Sequence, residues 1–263
     1  MAKGPIGIIG AMESEITYLV ERMEKTETVE ALQTVFHRGT IDGVDCVVVR
    51  CGIAKVNAAL CTQFLVDRFG ISAVVNTGVA GAISPKLDVM DIVVSTDAVH
   101  HDIDLSPLGF APGSIVGMPV DAFPADPTLR DTAMEAAESL LGTDLATLLG
   151  YTPEEMEAAK AGMGIDPDDP DAGNPKSFAF AGIECGRVAS GEQFISSHER
   201  KAWIAETFDA LCCEMEGAAI AHAAYLNDVP SSSSARSPTT RMALRAFRIR
   251  CSRKPRRGSA RPS

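Results

Sequence analysis

Short apolar runs alternate with helical stripes of apolar residues along most of the chain. Four of these runs predict buried strands, at residues 6–9, 46–49, 73–75 and 92–94. Between them, apolar residues recur every three or four positions, which predicts amphipathic helices. The predicted buried faces are Ile16, Leu19, Val20 and Met23 in the first helix and Val56, Leu60 and Phe64 in the second. This alternation predicts an α/β domain around a mostly parallel or mixed sheet.

Two later helices are indicated further along the chain. Asp126 followed by Pro127 is typical of a helix cap and first turn. Residues 215–226 form the last predicted helix, and Pro230 ends the predicted domain. The stripes are Leu129, Ala133, Ala137 and Leu140 in the first of these helices and Met215, Ala219, His222 and Leu226 in the second.

The charge distribution divides the chain at Pro230. The net charge of -11 over 263 residues combines 14 basic and 35 acidic side chains before residue 231 with nine Arg, Lys254 and no acid after it. We therefore predict a domain at 1–230 and a basic Ser/Arg-rich tail at 231–263. The acidic domain argues against nucleic-acid binding, although the tail alone has the composition of a basic patch.

Other compositional features exclude further classes. No apolar run approaches the roughly 20 residues of a membrane span, and the first apolar run meets Glu13 too soon for a signal peptide. We therefore expect a cytoplasmic protein that does not bind membranes. The seven cysteines are odd in number and lack paired metal spacing, which predicts reduced thiols and no metal or other cofactor.

Three glycine-rich turns follow predicted strands, at residues 7–12, 51–55 and 78–82. Such turns are where open α/β sheets bind ligands, yet each alone is more often only a tight turn. None has the spacing of a phosphate loop.

Acidic residues stand beside two of the predicted helix starts. Glu15 follows the first turn, and Glu214 and Glu216 flank Met215. From spacing alone these acids either complement helix N-termini or bind ligand hydroxyls and act in acid–base catalysis. Phe194 is equally consistent with a core position and with stacking on a flat heterocycle.

Taken together and in order, the motifs resemble those of bacterial 5′-methylthioadenosine/S-adenosylhomocysteine nucleosidases, from about residue 5 to residue 230. The motifs are GIIGAMESEI, CGIAKVNAA, NTGVAGA, LDVMDIVVSTDAVHHD, SGEQFI and CEMEGAAIAH. The resemblance implies a three-layer, nucleoside-phosphorylase-like fold with a central twisted mixed β-sheet flanked by helices. It also implies a homodimer, a small nucleoside substrate and a place in methionine salvage.

The resemblance assigns a role to each matching position. Glu15 corresponds to the general base that activates water, and Glu216 to the carboxylate that holds the ribose hydroxyls. Met215 would pack beneath the sugar. The remaining assignments are Phe194 stacking on adenine, the Ile195 backbone at the base edge, Gly81 in the turn near the ligand and Ile53 in the alkylthio pocket.

The sequence departs from the family pattern at several places. Val79 replaces a small polar residue, Met90 replaces a glycine, and residues 143–175 form an insertion. After Pro230 the family continues with a buried strand similar to FVVVRAISD, whose aspartate protonates adenine. Here the segment is SSSSARSPT, so the acid is absent and its position holds Thr239.

We propose that a shift of the reading frame produced this tail. Reading one base earlier turns every TCN serine codon into NTC, which encodes only Phe, Leu, Ile or Val. Residues 231–243 are then compatible with FVVVRAISDNADG at every position. We predict a domain without its last core strand and helix, a disordered or frame-shifted tail, and impaired activity of the written chain. The alternatives are a nucleoside phosphorylase or a catalytically dead nucleoside-binding protein.

Overall fold

The computed structural model describes residues 4–88, 91–142 and 182–236. Eleven strands form one mixed sheet. The strands are β1 (Ile6–Gly10), β2 (Glu24–Ala31), β3 (Thr34–Ile41), β4 (Val44–Arg50), β5 (Ala73–Val79), β6 (Gly81–Ala82), β7 (Ile92–His100), β8 (Ala122–Pro124), β9 (Ile183–Ser190), β10 (Ala210–Glu214) and β11 (Ser231–Arg236). The helices are α1 (Glu13–Arg22), α2 (Lys55–Phe64), α3 (Pro127–Glu138), α4 (His198–Phe208) and α5 (Gly217–Leu226). A π-helical turn (Leu65–Phe69) extends α2, and a 3-10 turn covers Ser106–Leu108.

The strand order is β2-β3-β4-β1-β5-β11-β7-β9-β10-β6, with β8 beside β7. Strands β4, β1, β5 and β11 are mutually parallel, whereas β7 runs antiparallel to β11. Successive residues of a strand point to opposite faces of the sheet, so the apolar runs give two apolar faces, and helices cover both of them. Val47 and Val49 pack in one core cluster with residues of α2 and α5, while Val48 packs with α1. The predicted three-layer mixed fold is confirmed.

The predicted strands and helices occur at their expected places, but the faces predicted for two helices are partly wrong. In the last helix, Leu226 of the predicted apolar stripe is 63% exposed. Asp126 accepts hydrogen bonds from the backbone N–H groups of Thr128 and Leu129, so the predicted cap of α3 is confirmed. The predicted buried face of α2 is wrong at Val56 and Leu60, which are 67% and 52% exposed, whereas Phe64 packs against the core as predicted. The helix instead buries its small residues, Ala58, Cys61 and Thr62, which allow close approach to the neighbouring α5.

The last described strand differs from the sequence prediction. Residues 231–236, expected to leave the sheet without its last core strand, form β11 between β5 and β7. Ser231, Ser232 and Ser233 are buried. Backbone pairing explains the strand, because ladder hydrogen bonds do not depend on the side chains and small serines fit between two covered faces. The rest of the predicted tail, including Thr239, lies outside the described residues, as do Met90 and the insertion at 143–175.

Two further features complete the fold. The β2–β3 hairpin at one edge of the sheet was not predicted, since β2 is largely polar and exposed. No helix within the described ranges is long and apolar enough to cross a membrane. Six cysteines fall in these ranges, all are free thiols, and all except Cys185 are buried.

Candidate active site

A cavity of about 780 Å³, counting the space open to solvent at its mouth, lies beyond the carboxyl ends of the parallel strands. Strands β1, β4 and β5 contribute one wall through the turns that follow them, and β9 and β10 contribute the other. This is the usual ligand position in open α/β sheets. The lining residues are Ala11, Met12, Glu15, Ile53, Val79, Ala80, Gly81, Gln193, Phe194, Ile195, Cys213, Glu214, Met215 and Glu216.

Every candidate site residue from the sequence lines this one cavity. The set is Glu15, Ile53, Gly81, Phe194, Ile195, Met215 and Glu216. They come from five separate segments of the chain, so the fold brings together residues up to about two hundred positions apart.

Glu15 is held at the start of α1 by backbone donors from two strands' ends. Its Oε2 accepts a hydrogen bond from the Met12 N–H at 2.8 Å, and its Oε1 accepts one from the Val79 N–H at 3.2 Å. Burial raises the pKa of Glu15, the backbone hydrogen bonds oppose this rise without cancelling it, and the charge of Glu214 adds to it. A fixed carboxylate with a raised pKa is a stronger base than an exposed one at neutral pH.

Glu216 reaches across the cavity to the start of α2. Its Oε1 accepts a hydrogen bond from the Ala54 N–H at 2.6 Å, where the helix dipole favours negative charge. Burial, followed by the nearby charge of Glu214, raises the pKa of Glu216 to about 8. A carboxyl group at this position can exchange hydrogen bonds with a ligand hydroxyl.

Glu214 supports the start of α5. Its Oε2 accepts hydrogen bonds from the N–H groups of Glu216 and Gly217, at 2.9 and 2.7 Å. The Ser190 hydroxyl donates to Oε1 and accepts from the Ala218 N–H. Burial raises the pKa of this carboxyl. Glu214 therefore fixes the backbone that carries Glu216.

The charges around the cavity are one-sided. Three carboxylates line it, and no Lys or Arg is among its lining residues in the described ranges. A smaller cavity of about 230 Å³ shares Glu15, Glu214 and Glu216 with it and is closed on another side by Ala235 of β11. Negative charge without a cationic partner favours a ligand that develops positive charge.

No metal site accompanies these acids within residues 4–88, 91–142 and 182–236. No group of three or more His, Cys, Asp or Glu side chains there is placed to hold a metal ion.

Comparison with known proteins defines the family. The sequence model of the Phosphorylase superfamily matches residues 5–235. The 5′-methylthioadenosine/S-adenosylhomocysteine nucleosidase of Treponema pallidum (strain Nichols) is 38% identical over 225 residues, which is 86% of this chain and 77% of that protein. The enzyme of the same name from Geobacillus thermodenitrificans (strain NG80-2) is 36% identical over 81% of this chain and 75% of its own.

The chain belongs to the 5′-methylthioadenosine/S-adenosylhomocysteine nucleosidase family. A solved structure agrees: the Neisseria meningitidis nucleosidase in complex with methylthio-immucillin-A superimposes with a TM-score of 0.74 at 28% identity, over 93% of this chain and 91% of that one. The predicted family and enzyme class, a purine N-glycosidase, are therefore confirmed. The nucleoside phosphorylase alternative is not favoured, since these relatives are named nucleosidases.

Several residues of the nucleosidase site were not singled out by the sequence. Gln193 and Cys213 line the cavity, and Asn76 and Ser190 hold the Glu214 carboxylate. Ser190 directly precedes the glycine of the SGEQFI motif, so its position was visible, but its partner lies 24 residues away. Only the folded chain shows that pairing.

Proposed function

We propose that this chain hydrolyses the N-glycosidic bond of 5′-methylthioadenosine and S-adenosylhomocysteine, releasing adenine and the thioribose. The observation that carries the proposal is the cavity lined by Glu15, Glu214 and Glu216 without a cationic side chain among its described lining residues. Cleavage of a glycosidic bond passes through a state with positive charge on the sugar, which nearby carboxylates stabilise.

The proposed roles follow the family resemblance and fit the local chemistry. Glu15 takes a proton from the attacking water, consistent with its raised pKa. Glu216 holds the ribose hydroxyls, and Met215 packs beneath the sugar. At the base end, Phe194 stacks on adenine and the Ile195 backbone meets the base edge. Gly81 and Ile53 border the sugar and the alkylthio group.

Water is the proposed nucleophile rather than phosphate. A phosphate would need Arg, Lys or several backbone donors to bind its charge. The described lining residues supply carboxylates in that region, and those carboxylates would repel an anion. The smaller cavity beside Glu15 is large enough for water.

We also propose that leaving-group protonation is the impaired step. The resemblance places the general acid at the position of Thr239, and a threonine hydroxyl is far too weak an acid to replace a carboxyl group in protonating adenine. Loss of a positioned acid costs on the order of 10²–10⁴ in rate. The protein with the present sequence should bind the nucleoside but release adenine slowly. A variant in which the reading frame after Pro230 is restored should release adenine about 10²–10⁴-fold faster.

The remaining proposals concern the cellular location, the oligomeric state and the metabolic role of the protein. We propose a cytoplasmic homodimer acting in methionine salvage. The exposed apolar side chains of α2 (Val56 and Leu60) lie one to two turns beyond the cavity residue Ile53, and they support a second subunit near the alkylthio end.

Product analysis tests the hydrolytic function. Purified protein of verified mass is incubated with 5′-methylthioadenosine with and without phosphate, and products are separated by mass spectrometry. We expect adenine and free methylthioribose at a rate independent of phosphate. A phosphate-dependent ribose phosphate would establish a phosphorylase, and binding without any product would establish a dead nucleoside-binding protein.

A further inference from the structure

A closed set of ionic and hydrogen bonds lies outside the cavity and joins two of its walls. Asp102, two residues after β7, accepts a hydrogen bond from Lys55 Nζ at 2.6 Å on Oδ1. Its Oδ2 accepts the Glu192 backbone N–H at 2.8 Å. The ring closes where the Lys55 backbone N–H donates to Glu192 Oε1 at 3.1 Å. The Lys55 and Asp102 side chains are only 19% and 15% exposed.

Each partner of Asp102 continues directly into the candidate active site. Lys55 begins α2 and follows Ala54, whose N–H holds Glu216. Glu192 precedes residues 193–195, which line the mouth of the cavity. Asp102 itself is not a lining residue, so whatever it contributes must pass through these two segments.

The backbone at the Lys55 side needs such support. Ala54 has φ 87° and ψ 161°, a conformation that residues other than glycine rarely adopt. Strained backbone of this kind persists only where the surroundings fix it. Here the fixing contacts are Glu216 on the Ala54 N–H and Glu192 on the next N–H.

Asp102 is ionised in this setting. Burial alone would raise the pKa of Asp102, but the hydrogen bond from Lys55 and that from the Glu192 N–H outweigh burial and hold the pKa below its usual range. Its neighbour His101 is buried and its pKa is lowered, chiefly by burial, so it adds little positive charge. Lys55 is therefore the principal charge partner.

We propose that Asp102 is a positioning residue that fixes the base-recognition segment 191–195 against the start of α2 and thereby sets the affinity for adenine. The inference rests on the proposed function, since it assumes that this segment binds the base. Asp102 touches neither substrate nor reacting atoms. It acts through Lys55 and Glu192 alone.

The test compares two similar ion pairs by calorimetric titration with adenine. Asp102→Asn keeps an acceptor for the Glu192 N–H but loses the charge opposite Lys55. Asp97→Asn is the matched control, because Asp97 lies on β7, the strand that Asp102 follows, and pairs with Arg187 at similar partial burial; neither aspartate lines the cavity. We expect both variants to lower the melting temperature, but only Asp102→Asn to weaken adenine binding, by about tenfold.

Further variants keep the inference open to refutation. Lys55→Met should weaken adenine binding similarly, and the double variant should bind no more weakly than either single one. Unchanged adenine affinity in Asp102→Asn or Lys55→Met, or equal weakening in Asp97→Asn, would overturn the positioning role while leaving the proposed function intact. Absence of adenine binding by the unmodified chain would overturn both.

Discussion

Two sets of polar side chains lie along the central sheet, and they differ in their partners. Glu15, which follows β1, and Glu214, at the end of β10, have carboxylate oxygens that accept backbone N–H groups. In β11, which lies between β5 and β7, three serines are buried, and the Ser232 hydroxyl has no hydrogen-bond partner among the described residues. The same sheet thus contains two satisfied carboxylates and one unsatisfied hydroxyl.

The two sets differ in whether the burial of a polar group serves the active site or only lowers stability. The carboxylates are expensive to bury, as their raised pKa values show, yet they are fixed and face a cavity. The Ser232 hydroxyl lines neither of the two cavities and is buried without a partner among the described residues, which costs stability. We therefore expect changes in the first group to alter turnover and changes in the second to alter stability.

The largest expected effect is on the carboxylate side. Glu15→Gln should lower the rate of adenine release by about 10²–10⁴-fold, because glutamine cannot take the proton from water. The melting temperature should fall only modestly, because the amide NH2 of glutamine leaves one of the two backbone N–H groups of Met12 and Val79 without its acceptor. Initial rates are compared in the restored-frame chain, where the starting rate is higher. Glu13→Gln on the same helical turn is the control. A similar loss of adenine release in Glu13→Gln would show that the effect is not specific to Glu15.

The next effect concerns pH and stability. The pKa of Glu216 is raised from 4.5 to about 8, so between these values the folded state keeps a proton that the unfolded chain releases. Its contribution to stability is fully present at low pH and is lost as the pH rises through about 8. Between pH 4.5 and about pH 8 the free energy of unfolding falls by about 1.4 kcal/mol per pH unit. Glu216→Gln should therefore flatten the fall in stability from pH 5 to 8.

Urea unfolding across this pH range measures the slope. Glu206→Gln, an exposed change on α4, should leave the slope as it is in the unmodified chain. An unchanged slope in Glu216→Gln would mean that the burial of this carboxyl does not govern its titration.

A pair of serine variants sharpens the contrast at a smaller scale. Ser232→Ala removes the unpartnered hydroxyl and should raise the free energy of unfolding, by about 1–3 kcal/mol. Ser190→Ala removes a hydroxyl that joins Glu214 to the Ala218 N–H, and it should lower that energy by a similar amount. Chemical denaturation of both variants checks the opposite signs, and two effects of the same sign would refute the distinction.

The smallest effect tests the strained turn beside Glu216. Ala54→Gly should raise the free energy of unfolding by about 1 kcal/mol, because glycine adopts positive φ without strain. Ala136→Gly, an exposed change within α3, should lower it by up to about 1 kcal/mol. Thermal unfolding compares the two, and a loss of stability in Ala54→Gly would show that this turn is not strained.

The parts of the fold that sequence could predict are those whose local pattern agrees with their environment. Strands β1, β4, β5 and β7 each contain a short apolar run because both faces of the sheet are covered there. The cap of α3 is equally local, since Asp126 and its donors lie within three residues. Such features need no knowledge of distant contacts.

The errors arise where distant contacts decide. The buried face of α2 is chosen by close packing with α5 rather than by its larger apolar residues. Strand β11 forms by pairing with two neighbours despite its serines. For the site, the acids and Phe194 were predictable through the resemblance, but the link from Asp102 to Lys55 spans 47 residues and no motif indicates it.

Adenine release from 5′-methylthioadenosine, measured for the written chain and for the chain with its frame restored after Pro230, tests the proposed chemistry most directly. We expect slow release by the written chain and release about 10²–10⁴-fold faster by the restored chain, both independent of phosphate. Equal rates would contradict the missing acid, and no release by the restored chain would contradict the proposed hydrolysis itself.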